Sequence, residues 1–138
     1  MRNEIKRKHW FIISVLLVVG LMTRFAFIDT VPNNLQPDSV DTIRHFLEKR
    51  ARGEISFFTT NWNGSHIINQ WLIALPWYIL GQPYWAVHLS SAVISLLIVV
   101  LFFIFLIEAT KSTLVAFVGS LWLLVDPWFL SFSRSGWE

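Results

Sequence analysis

Three long apolar runs constrain this chain more than any other feature. The clearest run covers residues 86–107 and contains no Asp, Glu, Lys or Arg. It exceeds the ~20 apolar residues with which an α-helix crosses ~30 Å of hydrocarbon. Runs at 9–28 and 114–132 have similar lengths. Arg24 lies in the run at 9–28, and Asp126-Pro127 interrupts the run at 114–132. Because a spanning segment must pair its own backbone polar groups, these runs predict membrane helices.

The composition agrees with a membrane protein. The chain is 54% hydrophobic and 14% charged, whereas soluble domains are nearer a quarter charged. No cysteine is present, so disulfides and thiolate chemistry are excluded. The net charge of +2 is too small to indicate a nucleic-acid partner.

Basic residues cluster before the first apolar run, at Arg2, Lys6, Arg7 and Lys8. The positive-inside rule therefore predicts a cytoplasmic tail at 1–8, a first span at 9–28 and a multi-pass protein of the plasma (inner) membrane. A secretory signal peptide also has a basic start. Its apolar core is only ~7–15 residues long and a small-residue cleavage site follows it. The longer run here favours a retained signal anchor.

Residues 29–85 are predicted to form an external loop with two helices, at 39–52 and 66–80. Asp38 suits the N-cap of the first helix and Gly53 its C-terminal stop. Val40, Ile43 and Leu47 fall on one face of that helix, which suggests an amphipathic helix on the membrane surface. The second helix would be only about 22 Å long and contains Pro76, so an interfacial or re-entrant helix is expected.

The number of crossings decides the topology. Three crossings, at 9–28, 86–107 and 114–132, put residues 133–138 at the start of a second external loop, on the same side as Asp38. A fourth crossing by 66–80 would put them in the cytoplasm. We favour three, which gives an all-α membrane protein with about three transmembrane helices, a surface amphipathic helix and an interfacial or re-entrant helix.

The order of several scattered residues resembles a known family. The relevant positions are Arg24, Phe27, Asp29 and Pro32, then Pro37-Asp38, Arg52-Gly53-Glu54, residues 68–75 with Leu80-Gly81, residues 85–92, and Asp126-Pro127 through Ser133-Arg134 to Glu138. This pattern resembles the N-terminal module of GT-C glycosyltransferases that use polyprenyl-phosphate sugars. The protein O-mannosyltransferase and aminoarabinose transferase type (glycosyltransferase family 39) is most similar. The chain departs from that pattern at Ser39, at His88 and at Ser65-His66-Ile67.

The resemblance implies an enzyme that moves a sugar from a polyprenyl-phosphate donor to an acceptor hydroxyl or amine at the outer membrane face. The acceptor would be a glycan, a lipid or a protein. Asp38 would be the catalytic base, since a carboxylate can take the acceptor proton. Glu138 would be a second acid that positions the acceptor or holds a divalent cation. Arg134 and Arg24 are candidates for binding the donor phosphate, whose charge grows during transfer.

Simpler roles exist for the same residues. Asp38 would then be only a helix cap, Arg24 an interfacial anchor or a partner of Asp29, and Arg134 an anchor. Glu138 would be an exposed residue. At the level of the whole chain, the alternative to an enzyme is a non-catalytic small membrane subunit or a decayed remnant. We expect the 138 residues to be the N-terminal part of a longer glycosyltransferase, inactive alone.

Overall fold

The computed structural model describes the backbone of residues 2–28, 37–54, 67–83 and 85–135, and the side chains of 8–28, 39–54, 71–83 and 85–134. The described residues form helices and turns and contain no strand. Their helices are α1 (Arg2–Phe25), α2 (Pro37–Ala51), α3 (Ile67–Ile79), α4 (Ala86–Thr110), α5 (Thr113–Val125) and α6 (Pro127–Ser135). The prediction of an all-α protein is confirmed.

Two of these helices are long and apolar enough to cross a membrane: α1, over Lys8–Phe25, and α4, over its 25 residues. Helices α5 and α6 make a third span if they are read together, with a bend of 57° between them. Helix α3 has 13 residues, which is short of the ~20 that a crossing needs.

All three apolar segments differ from their predicted bounds, and the third, predicted at 114–132, covers 113–135 as α5 and α6. Helix α1 starts at Arg2, so the predicted tail at 1–8 is mostly helical, as Arg, Lys and Glu favour helix. It ends at Phe25, and a turn with Phe27 at φ 56° follows within the predicted span. Helix α4 continues to Thr110, three residues beyond the predicted end of the second span.

One compact unit consists of Met1–Ala26 and Val93–Ser133. Its buried core combines residues of α1, α4 and α5, namely Leu16, Val99, Phe103, Ala116 and Leu124. Gly20 permits a close approach of the backbone at this point. A Cβ there would overlap the Leu96 side chain and lie 3.1 Å from Cδ1 of Leu124.

The other compact unit consists of Phe27–Ala92 and Arg134–Glu138, and in it α2 packs against α3. Of the three residues on the predicted apolar face of α2, Val40 and Leu47 are exposed, and the placement of this helix on a membrane surface stays a prediction. Ile43 is buried, but the other buried positions are Ser39, Thr42 and Phe46. The face of α2 that is buried therefore includes the large Phe46 ring, which lies edge-on to Trp71 with the ring centroids 5.8 Å apart.

The end of α2 agrees with the predicted glycine stop. Gly53 has a φ of +71°, a conformation that a residue with a Cβ adopts at a cost. Its N–H donates to the carbonyl of Arg50 at 3.1 Å, and the N–H of Glu54 donates to the carbonyl of Lys49 at 2.9 Å. These two bonds form a Schellman motif, which satisfies carbonyls that the end of the helix leaves unpaired.

Candidate functional site

Asp38 lies in the first turn of α2. The helix begins at Pro37, so Asp38 is its second residue and not the N-cap that the sequence suggested. Proline is favoured at the first helical position because its missing N–H would have no partner there. The backbone therefore places position 38 in the first turn of α2, where an acidic residue is favoured by the positive end of the helix dipole. The Asp38 side chain is outside the described side chains.

The packing of α2 fixes this turn relative to α3. Ile43 and Phe46 bury against Ile73 and Ala74 of α3 and Val87 of α4. Beyond the apolar contact, the guanidinium of Arg50 lies 3.9 Å from the centroid of the Tyr78 ring. A cation over an aromatic face is attracted by the ring quadrupole. The helix that carries Asp38 is therefore held by contacts in its second, third and last turns.

Charges on the open side of α2 pair with one another. Arg44 donates from Nε to Glu48 Oε1 at 2.9 Å, and His45 Nδ1 is 3.8 Å from Glu48 Oε2. The hydrogen bond from Arg44 lowers the pKa of the Glu48 carboxyl below its ordinary value of 4.5. Both partners are solvent-exposed, so this ion pair stabilises α2 only slightly.

Arg134 lies in the last turn of α6 and is half-buried. Its Nη2 donates to the backbone carbonyl of Phe27 at 3.4 Å. Phe27 lies two residues beyond the end of α1, in the same compact unit as Arg134. Arg134 also belongs to the same compact unit as α2. Glu138, the predicted second acid, lies outside the described residues.

Arg24 is completely buried in the last turn of α1. Its Nε donates to Ser95 Oγ of α4 at 2.7 Å, and its Nη1 donates to the carbonyl of Leu124 at 3.4 Å. Nη1 also lies 3.1 Å from Thr23 Oγ1, and the guanidinium carbon is 5.3 Å from the centroid of the Phe129 ring. Nη2 has no hydrogen-bond partner among the described residues. Arg24 therefore connects α1 to α4, α5 and α6.

The Arg24 contacts meet at the break between α5 and α6. Leu124 is in the last turn of α5, where backbone carbonyls have no N–H partner within the helix. A cation there satisfies a carbonyl and complements the negative end of the helix dipole. Phe129 is in the first turn of α6. These contacts give Arg24 a structural role at the break, and its predicted phosphate contact stays a prediction.

Asp126 forms the other part of this break. Its Oδ1 accepts a hydrogen bond from the N–H of Phe129 at 2.8 Å, as an N-cap side chain does. Pro127 follows at the first helical position of α6. A structural role for Asp126 thus explains an ionisable residue inside an apolar run.

No metal centre is formed by the described part of the chain, in which no three His, Cys, Asp or Glu side chains come together. His66 lies outside the described residues, and His88 is buried in α4. A divalent cation at Glu138 stays a prediction.

Sequence reasoning missed the burial of Arg24 and its partner Ser95. Ser95 is 71 residues away along the chain, and a lone serine in an apolar run carries no signal of a specific contact. One signal could have been used. A charged arginine inside a membrane span costs free energy, so it needs polar partners on neighbouring helices.

Comparison with known proteins leaves the family of this chain unassigned, since no protein-family model, no curated protein and no solved structure matches it.

Proposed function

We propose that this chain is the N-terminal membrane module of a glycosyltransferase of the GT-C type. The enzyme takes a sugar from a polyprenyl-phosphate donor and transfers it to a hydroxyl or amine at the outer membrane face. Asp38 is the base that accepts the acceptor proton. Arg134 offers its positive charge to the donor phosphate, and Glu138 positions the acceptor or a divalent cation.

The observation that carries this proposal is the contact between Arg134 and Phe27. The guanidinium of Arg134 reaches the carbonyl of the residue that leads into the Asp38 loop. Because this bond of 3.4 Å joins the two residues, we place both of them on the same side of the membrane. That placement supports three crossings, by α1, by α4 and by α5 with α6, and a helix α3 that does not cross.

The residue types of Asp38 and Arg134 suit the sugar-transfer reaction. Transfer from a lipid phosphate requires removal of a proton from the acceptor and stabilisation of the phosphate charge. Asp38, in the first turn of α2, supplies the carboxylate that would take the acceptor proton. An arginine binds phosphate oxygens with a planar set of donors. Helix α2 is a rigid support, because its buried face packs against α3.

The experiment is a transfer assay with the product of the complete reading frame, purified in detergent. Polyprenyl-phosphate sugars, each with a radiolabelled hexose, pentose or aminopentose, are supplied with a lipid or peptide acceptor. Release of polyprenyl phosphate together with labelled acceptor supports the proposal. Intact donors in every reaction, with protein that is monodisperse and folded, would favour a non-catalytic membrane subunit.

A further inference from the structure

A half-open cleft of about 380 Å³ lies between the N-terminal part of α1 and the start of α5. Four of its residues, Lys8, Phe11, Ile12 and Val15, repeat at the spacing of one helix face. Thr113, Leu114 and Phe117 form the opposite wall. The volume falls at the lower end of the range of small-molecule sites.

The lining of this cleft is almost wholly apolar, with its cation at one end. Lys8 is exposed and makes no ion pair with any residue whose side chain is described. Arg2, Lys6 and Arg7 precede it in the same helix, with Glu4 as the acidic exception. A cluster of at least four basic residues immediately outside a span attracts anionic lipid headgroups.

One wall of the cleft is fixed by contacts to the core. Thr113 Oγ1 shares a hydrogen bond of 3.2 Å with His9 Nε2, and the His9 ring lies edge-on to Phe103 with the centroids 6.2 Å apart. Phe117 packs against the buried core of this unit. Because this wall is already ordered, binding a ligand there does not require the entropy loss of ordering its side chains.

We propose that this cleft binds one anionic phospholipid. An acyl chain lies along Phe11, Val15 and Phe117, and the headgroup phosphate pairs with the Lys8 ammonium. An apolar groove with one charged end matches the division of a phospholipid into chain and headgroup. The cleft is at the end of α1 opposite to Arg24, so this inference does not depend on the proposed transferase activity.

The test compares two lipids with identical acyl chains, phosphatidylglycerol and phosphatidylcholine, added to the full chain in detergent micelles. Native mass spectrometry gives the apparent Kd of each from the lipid-bound fraction. We expect phosphatidylglycerol to bind more tightly. Lys8→Gln should weaken its binding roughly five-fold, because each basic residue near a lipid headgroup contributes about that factor.

Lys6→Gln is the matched control, because it removes the same charge about 200° around the helix from position 8. It should have a smaller effect than Lys8→Gln. Leu114→Trp should also weaken phosphatidylglycerol binding, because the larger ring occupies the cleft. Leu114 is 71% exposed, so its replacement leaves the core intact.

Two results would overturn the inference. One is equal affinity of the wild-type protein for the two lipids. The other is an equal loss for Lys6→Gln and Lys8→Gln, which would indicate a diffuse positive field and no defined site.

Discussion

Replacing Arg24 tests whether its guanidinium stabilises the fold through its set of hydrogen bonds or through its positive charge alone. Arg24→Lys keeps a buried cation but has one nitrogen where arginine has three. It retains at most the bond to Ser95 and loses the contacts with Leu124 and Phe129. A hydrogen bond from a charged donor contributes about 1.5–3 kcal/mol and a cation–π contact about 0.5–2. We therefore expect Arg24→Lys to lower the free energy of unfolding by about 2–5 kcal/mol.

Arg24→Met removes these contacts, the hydrogen bond to Ser95 and the charge. The Leu124 carbonyl loses its donor, at about 1–3 kcal/mol. Removing a buried ion offsets this loss, since its desolvation opposes folding by several kcal/mol. Methionine is flexible enough to fill most of the space. The Met variant should therefore lie within about 1 kcal/mol of the wild type and be more stable than the Lys variant.

The assay is unfolding in detergent by a denaturing surfactant, followed by tryptophan fluorescence, which the eight tryptophans of the chain provide. Arg44→Lys and Arg44→Met are the controls, because Arg44 is on the surface of α2, and neither should change the free energy of unfolding by more than about 0.5 kcal/mol. A Met variant that is less stable than the Lys variant by more than about 1 kcal/mol would refute the reasoning. It would mean that the positive charge itself is required, as in an ion pair.

Three further predictions concern capping, titration and topology. Asp126→Ala should destabilise the protein by about 1 kcal/mol in the same assay, because α6 loses its cap, whereas Asp126→Asn should stay near wild type. Carbon NMR should give Glu48 a pKa below 4.5 that rises in Arg44→Gln. Because the pKa of Glu48 is lower in the folded protein than in the unfolded chain, its contact with Arg44 stabilises α2 fully above the unfolded-state pKa. This stabilisation is lost as the pH falls through the folded-state pKa. Single cysteines, introduced into a chain that has none, should react with an external impermeant reagent at positions 38 and 136 but not at 111. Reaction at 111 with protection at 136 would show a fourth crossing.

The helical segments were largely predictable because their physical causes are local. Apolar runs longer than 18 residues have few alternatives to helix in a membrane. Asp126-Pro127 combines a favoured cap with a favoured first residue, and Gly53 supplies the left-handed backbone of a Schellman motif. Each of these signals acts within a few residues of its position.

What was missed depends on contacts between distant segments. Val40 and Leu47 fit an apolar stripe as well as Phe46 does, and only the position of α3 decides which face is buried. The cleft beside Lys8 joins residues about 100 positions apart. For the candidate site, the sequence pointed to Asp38 and Arg134 through a family resemblance. The contact of Arg134 with Phe27 required the fold.

The most direct test of the proposed function is turnover by Asp38 variants of the complete protein, with a polyprenyl-phosphate sugar that the wild type uses. Asp38→Asn keeps the shape of the side chain and removes the base. General-base assistance contributes about 10²–10⁴-fold, so kcat should fall by that factor while the Kd for the donor stays unchanged. Asp38→Glu, which retains a carboxylate, should keep more activity than Asp38→Asn. An Asp38→Asn enzyme with wild-type kcat would contradict the assignment of Asp38 as the base.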